Sequence, residues 1–221
     1  RQHTVTDPRT GISTTHYNAL GQVDYVEDAA SNRTSFVYDD AGRRSAVIDA
    51  LSNSVFQAYD LRGQVINTWG GTYPVSYVYD DFGRMIAMQT WRDESGVPDV
   101  TEWLYEQATG LLTNKLYADG KGPAYTYTPE GRLATRTWAR GITTTYSYTN
   151  VAGELMGIAY SDSTPPISFA YDRLGRQSEI VDAQGAHAFA YDDELQMLSE
   201  SNSFGLLTRA YDDLGRSAGF D

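Results

Sequence analysis

The carboxylates are the first residues to weigh for chemistry. Asp39/Asp40, Asp80/Asp81, Asp192/Asp193 and Asp212/Asp213 stand as adjacent pairs. Paired carboxylates suit calcium, a hard ion that takes oxygen ligands. No Asp-x-Asp-x-Asp loop with a downstream Glu accompanies them, so they read as turn residues and no metal is expected. Two carboxylates set across a cleft would hydrolyse a glycoside. These pairs recur along the chain, and a residue repeated in that way has no single cleft to serve. The three histidines, His3, His16 and His187, are too scattered for a metal site or a triad. Tyrosine and tryptophan faces beside carboxylates suit carbohydrate, and that remains an open alternative to packing within a sheet. No catalytic residue and no cofactor is expected.

What positions the Asp pairs is a repeat. Tyr38-Asp39-Asp40-Ala41-Gly42-Arg43 returns as Tyr79-Asp80-Asp81-Phe82-Gly83-Arg84, Tyr171-Asp172-Arg173-Leu174-Gly175-Arg176 and Tyr211-Asp212-Asp213-Leu214-Gly215-Arg216. Looser copies start at Tyr17, Tyr59, Tyr105, Tyr127, Tyr148 and Tyr191. The period is roughly 20 residues, which signals a repeat architecture. Gly follows the anchor Tyr by four positions at Gly21, Gly42, Gly63, Gly83, Gly131, Gly175 and Gly215, and by five at Gly110 and Gly153. Only the Tyr191 copy lacks it, with Leu195 in its place.

A Gly closing a polar turn supplies the left-handed backbone position, and Asp ahead of it bonds the turn's amides. Tyr-Asp-Asp-x-Gly therefore reads as a hairpin loop, a type I turn followed by a bulge. The next Arg or Gln is expected to open the return strand, with Arg43, Arg84, Arg132, Arg176 and Arg216 each within reach of a turn carboxylate. Turns between motifs are legible at Asp28–Asn32, Ala50–Asn53, Gly70–Pro74, Asp93–Asp99, Asp119–Pro123, Arg140-Gly141, Asp162–Pro166, Asp182–Gly185 and Ser201–Gly205, and a turn cluster occupies Asp7–Gly11. Two turns per repeat leave two runs of about seven residues, which is strand length. Thr101–Gln107 and Glu194–Glu200 have helical letters but are too short to stand as helices, and are assigned to strand and turn. An aromatic residue stands two before the anchor at Phe36, Tyr77, Trp103, Tyr125, Tyr146, Phe169 and Phe189. Residues i and i+2 share a strand face, so two parallel rows of rings are expected on one face. Trp69, Trp91 and Trp138 fall near the ends of return strands.

The net charge of −12 disfavours nucleic acid and anionic membrane as partners. Cysteine is absent, and no apolar run approaches the ~20 residues of a membrane span. The chain starts at Arg1 and enters and leaves in mid-repeat, so it is expected to be a piece of something longer, with any export signal elsewhere. Open strand edges would favour self-association.

Tyr-Asp-x-x-Gly-Arg at this spacing resembles the YD repeat, also called the RHS repeat. Trp103–Leu112, with Thr109-Gly110-Leu111-Leu112 after Tyr105, is similar to that family's longer variant. The resemblance covers about residues 10–220. It implies an all-β fold of tandem strand-turn-strand repeats. These would form a long curved antiparallel sheet, a segment of a spiral β-shell. Residues 1–221 would be a single repeat domain of about ten YD repeats. Bacterial relatives form the shells of insecticidal toxin complexes and of polymorphic toxins, enclosing a variable C-terminal toxin domain. The teneurins use a similar shell in adhesion. By that resemblance the chain would be no enzyme. Its partners would be the rest of the parent shell and the enclosed polypeptide, and its location secreted or cell-surface in bacteria. No core-terminating segment with self-cleaving aspartates is found. Twenty strands closed into a barrel would leave a lumen of roughly 20–30 Å, too narrow for a 100-residue domain about 34 Å across. A wall segment is therefore expected, with a carbohydrate-binding or surface-binding adhesin as the alternative.

Overall fold

The computed structural model describes residues 2–6, 11–92 and 96–221. The turn residues expected at 7–10 and 93–95 lie outside the described residues. The fold is all-β, with 21 strands and no helix among the described residues. The chain divides into two units, Arg1–Leu104 with Leu116–Gly120, and Tyr105–Lys115 with Lys121–Asp221.

The first unit carries β1 (Gln2–Thr6), β2 (Ile12–Tyr17), β3 (Val23–Glu27), β4 (Arg33–Tyr38), β5 (Arg44–Ile48), β6 (Ser54–Tyr59), β7 (Val65–Gly70), β8 (Val75–Tyr79), β9 (Met85–Thr90) and most of β10 (Asp99–Tyr105). The second carries most of β11 (Leu112–Leu116), then β12 (Ala124–Tyr127), β13 (Leu133–Thr137), β14 (Thr143–Ser147), β15 (Gly157–Tyr160), β16 (Ile167–Tyr171), β17 (Gln177–Asp182), β18 (Gly185–Tyr191), β19 (Met197–Asn202), β20 (Gly205–Tyr211) and β21 (Ser217–Phe220). Within the first unit each strand from β1 to β10 pairs antiparallel with its sequence neighbour. The same holds from β11 to β21 in the second.

Composition explains the strands. They are rich in Thr, Val, Ile and aromatic residues, which suit a pleated surface, and β18 alternates half-buried and exposed side chains along its whole length. The helix-lettered segments resolve as strand and turn: β10 runs to Tyr105, and Glu194 lies in the turn before β19. Each unit is a single layer, for among the described residues strands make close contact only with their sequence neighbours. Only Ala46, Pro123 and Thr144 are buried among the described residues. The exposed surface is 14988 Å², against about 10,000 Å² for a compact monomer of this mass. Stability here comes from neighbour against neighbour along the sheet, with no second layer to fill a core.

Eight motif hairpins share one irregularity. Their register shifts at the anchor tyrosine: β2–β3, β4–β5, β6–β7, β8–β9, β12–β13, β16–β17, β18–β19 and β20–β21. In the Tyr38 repeat, Val37 faces Ala46 and Tyr38 faces Arg44, so Ser45 is an extra residue on the return strand. One expectation is corrected. The Arg or Gln after the glycine does not open the return strand, which starts one residue later at Arg44, Val65, Met85, Leu133, Gln177, Met197 and Ser217. The cause is loop closure: the carbonyl of Arg43 accepts from the Asp39 amide at 2.8 Å, and that of Gln64 from Asp60 at 2.9 Å.

Candidate functional site

The recurring site is the turn and what it touches in the next repeat. Asp39 Oδ1 accepts from the amides of Ala41 and Arg43 at 3.0 and 2.8 Å. Its Oδ2 accepts from Arg43 Nε at 2.8 Å. Asp80 with Arg84, Asp172 with Arg176 and Asp212 with Arg216 repeat the arrangement. Gly42 closes the turn at φ 79° by donating to the Asp39 carbonyl at 2.9 Å. Gly21, Gly63, Gly83, Gly131, Gly153, Gly175 and Gly215 hold the same region. In the Tyr105 repeat the loop is longer: Gly110 donates to Glu106, four residues back. Leu195, standing where glycine is missing, adopts φ 72° and closes the turn to Asp192 at 3.3 Å. Two turns between motifs copy the geometry without glycine, with Ser31 at φ 61° and Ser52 at φ 66°. There Asn32 and Asn53 replace the arginine, donating side-chain amides to Asp28 and Asp49 at 2.9 Å.

These bonds set the carboxylate chemistry. The Arg43 amide, with its guanidinium adding to it, holds the Asp39 carboxyl below the ordinary aspartate range, against a smaller opposing push from desolvation. The Arg216 amide does the same for Asp212, and the Asn32 and Asn53 side chains lead for Asp28 and Asp49. At Asp80 and Asp172 desolvation pushes upward, and the bonds from Arg84 and Arg176 outweigh it. The second member of each pair, Asp40, Asp81, Asp193 and Asp213, is exposed. The pairs are therefore not two-carboxylate centres. Among the described residues no group of three His, Asp or Glu side chains could hold a metal.

The anchor tyrosines do more than pack. The Tyr38 phenol donates to the Val23 carbonyl at 2.8 Å, Tyr59 to Arg44 at 2.6 Å and Tyr79 to Val65 at 2.9 Å. In the second unit Tyr127 reaches Leu112 at 2.9 Å, Tyr171 Leu155 at 2.9 Å, Tyr191 Gln177 at 2.8 Å and Tyr211 Met197 at 3.0 Å. Most of these acceptors open the preceding return strand, beside its bulge, where the ladder leaves a carbonyl free. Desolvation pushes the Tyr79 and Tyr127 phenols above their ordinary value, keeping them neutral donors.

The residue after the glycine reaches the other way. Arg43 Nη1 donates to the Asp60 carbonyl at 2.8 Å and Arg176 Nη1 to Asp192 at 3.2 Å. Arg132 donates to the Gly153 carbonyl. Gln22, Gln64 and Gln196 donate to the carbonyls of Gly42, Gly83 and Gly215 at 3.1, 2.8 and 3.4 Å. The guanidinium groups of Arg43, Arg132 and Arg176 also lie over the rings of Tyr59, Tyr148 and Tyr191, at 4.7, 5.1 and 4.5 Å. Sequence reasoning assigned these arginines only to their own turns. The clue lay in the alternation of Arg with Gln: an amide forms no ion pair, so a neutral acceptor is what the two share.

The rows of rings are half-buried at every member, anchors Tyr17 and Tyr105 included. Guanidinium groups interleave with them, Arg44 over Phe36 at 4.5 Å and Arg136 over Tyr125 at 5.9 Å. Trp138 lies under Arg136 and donates to Thr144 at 3.1 Å. Phe56 and Trp69 lie on the opposite face, 37% and 40% exposed, stacked with centroids 5.6 Å apart. The letters Gly215-Arg216-Ser217-Ala218-Gly219 spell the pattern of a nucleophile elbow, which the sequence reading passed over. An elbow needs a sharp strand-to-helix turn. Here Gly215 closes a hairpin and Ser217 opens β21, exposed and facing Tyr211.

No family description and no curated protein matches the chain. Solved structures do. The crystal structure of TcdB2-TccC3 without its hypervariable C-terminal region aligns over 98% of this chain and 14% of that one, at 15% identity and a TM-score of 0.59. Another crystal structure of TcdB2-TccC3 aligns over 95% of this chain and 16% of that one, at 14% identity and 0.45. A Photorhabdus luminescens Tc holotoxin pore aligns over 95% and 17%, at 14% identity and 0.42. The first likeness establishes fold. This chain is folded like a part of the TcdB2-TccC3 structure.

Proposed function

We propose that this chain is a structural wall segment of a YD-repeat shell, residues 1–221 working as one repeat domain that encloses or presents another polypeptide. The observation that carries the proposal is the two-way tether. Seven of the ten anchor phenols grip the repeat before them, and Gln22, Arg43, Gln64, Arg132, Arg176 and Gln196 grip the turn of the repeat after them. Such a layer lengthens by adding copies and needs no second sheet. The TcdB2-TccC3 likeness supports the shell role, and the chain spans 14% of that structure's length. The remaining elements of the proposal are a bacterial, secreted setting, an enclosed toxin and the rest of the shell as partner. Binding through the tyrosine rows gains no support, because those rings are half-buried and partly capped by arginines.

Cryo-electron microscopy and limited proteolysis of the gene product that carries these repeats test the proposal. Strands continuing from these residues into a larger wall, with a protease-resistant polypeptide against it, are expected. Repeats that stand alone, with every flanking segment digested at once, would sink it.

A further inference from the structure

The geometry points to a binding platform for a neutral, β-linked oligosaccharide on β6–β9, on the face opposite the anchor tyrosines. Register builds it. Phe56 faces Trp69 across β6 and β7. Thr68 pairs with Val75, which sets Pro74 beside Trp69. The Trp91 amide donates to the Pro74 carbonyl at 3.2 Å, carrying the ladder past the end of β9. Phe56, Trp69, Pro74 and Trp91 thus form one row across neighbouring strands, about 4.8 Å per step. Two residues along each strand, on the same face, runs a polar row: Asn67 faces Ser76, and Ser76 faces Gln89. The side-chain amides of Asn67 and Gln89 make no hydrogen bond to the described residues. A cavity of about 540 Å³ lies over Asn67, Thr68, Trp69, Pro74, Val75 and Trp91, within the size range of ligand sites.

An extended ring-bearing ligand fits this pairing of rows. Pyranose rings joined by equatorial linkages present flat C–H faces, which suit tryptophan and proline, and edge hydroxyls, which suit amides. The net charge of −12 selects neutral chains over uronate-containing or sulfated ones. A peptide is less well matched, because β6–β9 are all paired on both sides and offer no free edge for strand addition. This inference stands apart from the wall proposal: it concerns the other face, and either can fail alone.

Titration of the protein with cellohexaose and chitohexaose, read by tryptophan fluorescence and amide chemical shifts, tests it. Saturable changes at Trp69 and Trp91 are expected with at least one of the two. Maltohexaose, whose axial linkage bends the chain away from a flat row, and oligogalacturonate should bind more weakly. Trp69→Ala or Trp91→Ala should weaken binding by about tenfold or more. Trp69→Phe, which keeps a ring and the packing against Phe56, and Asn67→Ala should weaken it less, so a folding defect in one variant leaves the test intact. No response to either neutral hexasaccharide at millimolar concentration overturns the inference, as does unchanged binding in the Trp69→Ala/Trp91→Ala double variant.

Discussion

Tyr79 shows what one hydroxyl contributes. Its ring is half-buried and its phenol satisfies the Val65 carbonyl at 2.9 Å. Tyr79→Phe keeps the ring and leaves that carbonyl without its protein donor. A loss of about 0.5–1.5 kcal/mol is expected, read from urea denaturation. Leu195 runs the opposite way. A side chain held at φ 72° bears left-handed strain that costs roughly 1–2 kcal/mol, against which glycine's extra freedom in the unfolded chain weighs about 0.5–1 kcal/mol. Leu195→Gly should therefore raise stability by about 0.5–1 kcal/mol, while Gly83→Leu, the reverse change at an equivalent site, should lower it. Equal effects of both substitutions would show that strain at the turn does not matter.

At the scale of the hairpin, the turn and its bulge act as one fitting. The bulge frees a carbonyl, the next tyrosine occupies it, and the arginine of the first turn lies over that same tyrosine. A double-mutant cycle on Arg43→Met and Tyr59→Leu should give a coupling of about 0.5–1 kcal/mol. The pair Arg43 and Tyr79, two hairpins apart in the same unit, should show none. This explains how far the letters could be read. Asp39, Gly42 and Arg43 close their own loop within five residues, so the hairpin is legible from the motif alone. The phenol's acceptor lies 15 residues back from Tyr38 and is a backbone carbonyl, which leaves no mark in the side-chain sequence. The Phe56, Trp69, Pro74 and Trp91 row was equally hidden. Its members are spread over 36 residues and align only once three registers are known. The Leu195 turn was readable as an exception, and its backbone angle follows from the neighbouring repeats.

Over the whole molecule the same carboxylates add up to a pH response. Asp28, Asp39, Asp49, Asp80, Asp162, Asp172 and Asp212 are all held below the ordinary aspartate value by hydrogen bonds to their ionised form. The unfolded chain then binds more protons than the native one in acid. The stabilisation is present above the unfolded aspartate pKa of about 3.9 and is lost as pH falls through the lower native values. The thermal midpoint should decline below about pH 4, and Asp39→Asn with Asp212→Asn should flatten that decline. An acid limb unchanged in the double variant would place the effect elsewhere. The tethers carry one more consequence. The Tyr, Arg and Gln tethers described above span 14 to 21 residues, and within each unit every strand after the first pairs with the one before it. A nascent chain leaving the ribosome can thus lock each hairpin onto the last as soon as its tyrosine emerges, long before the C-terminus is made. The wall would be laid course by course in the order of translation.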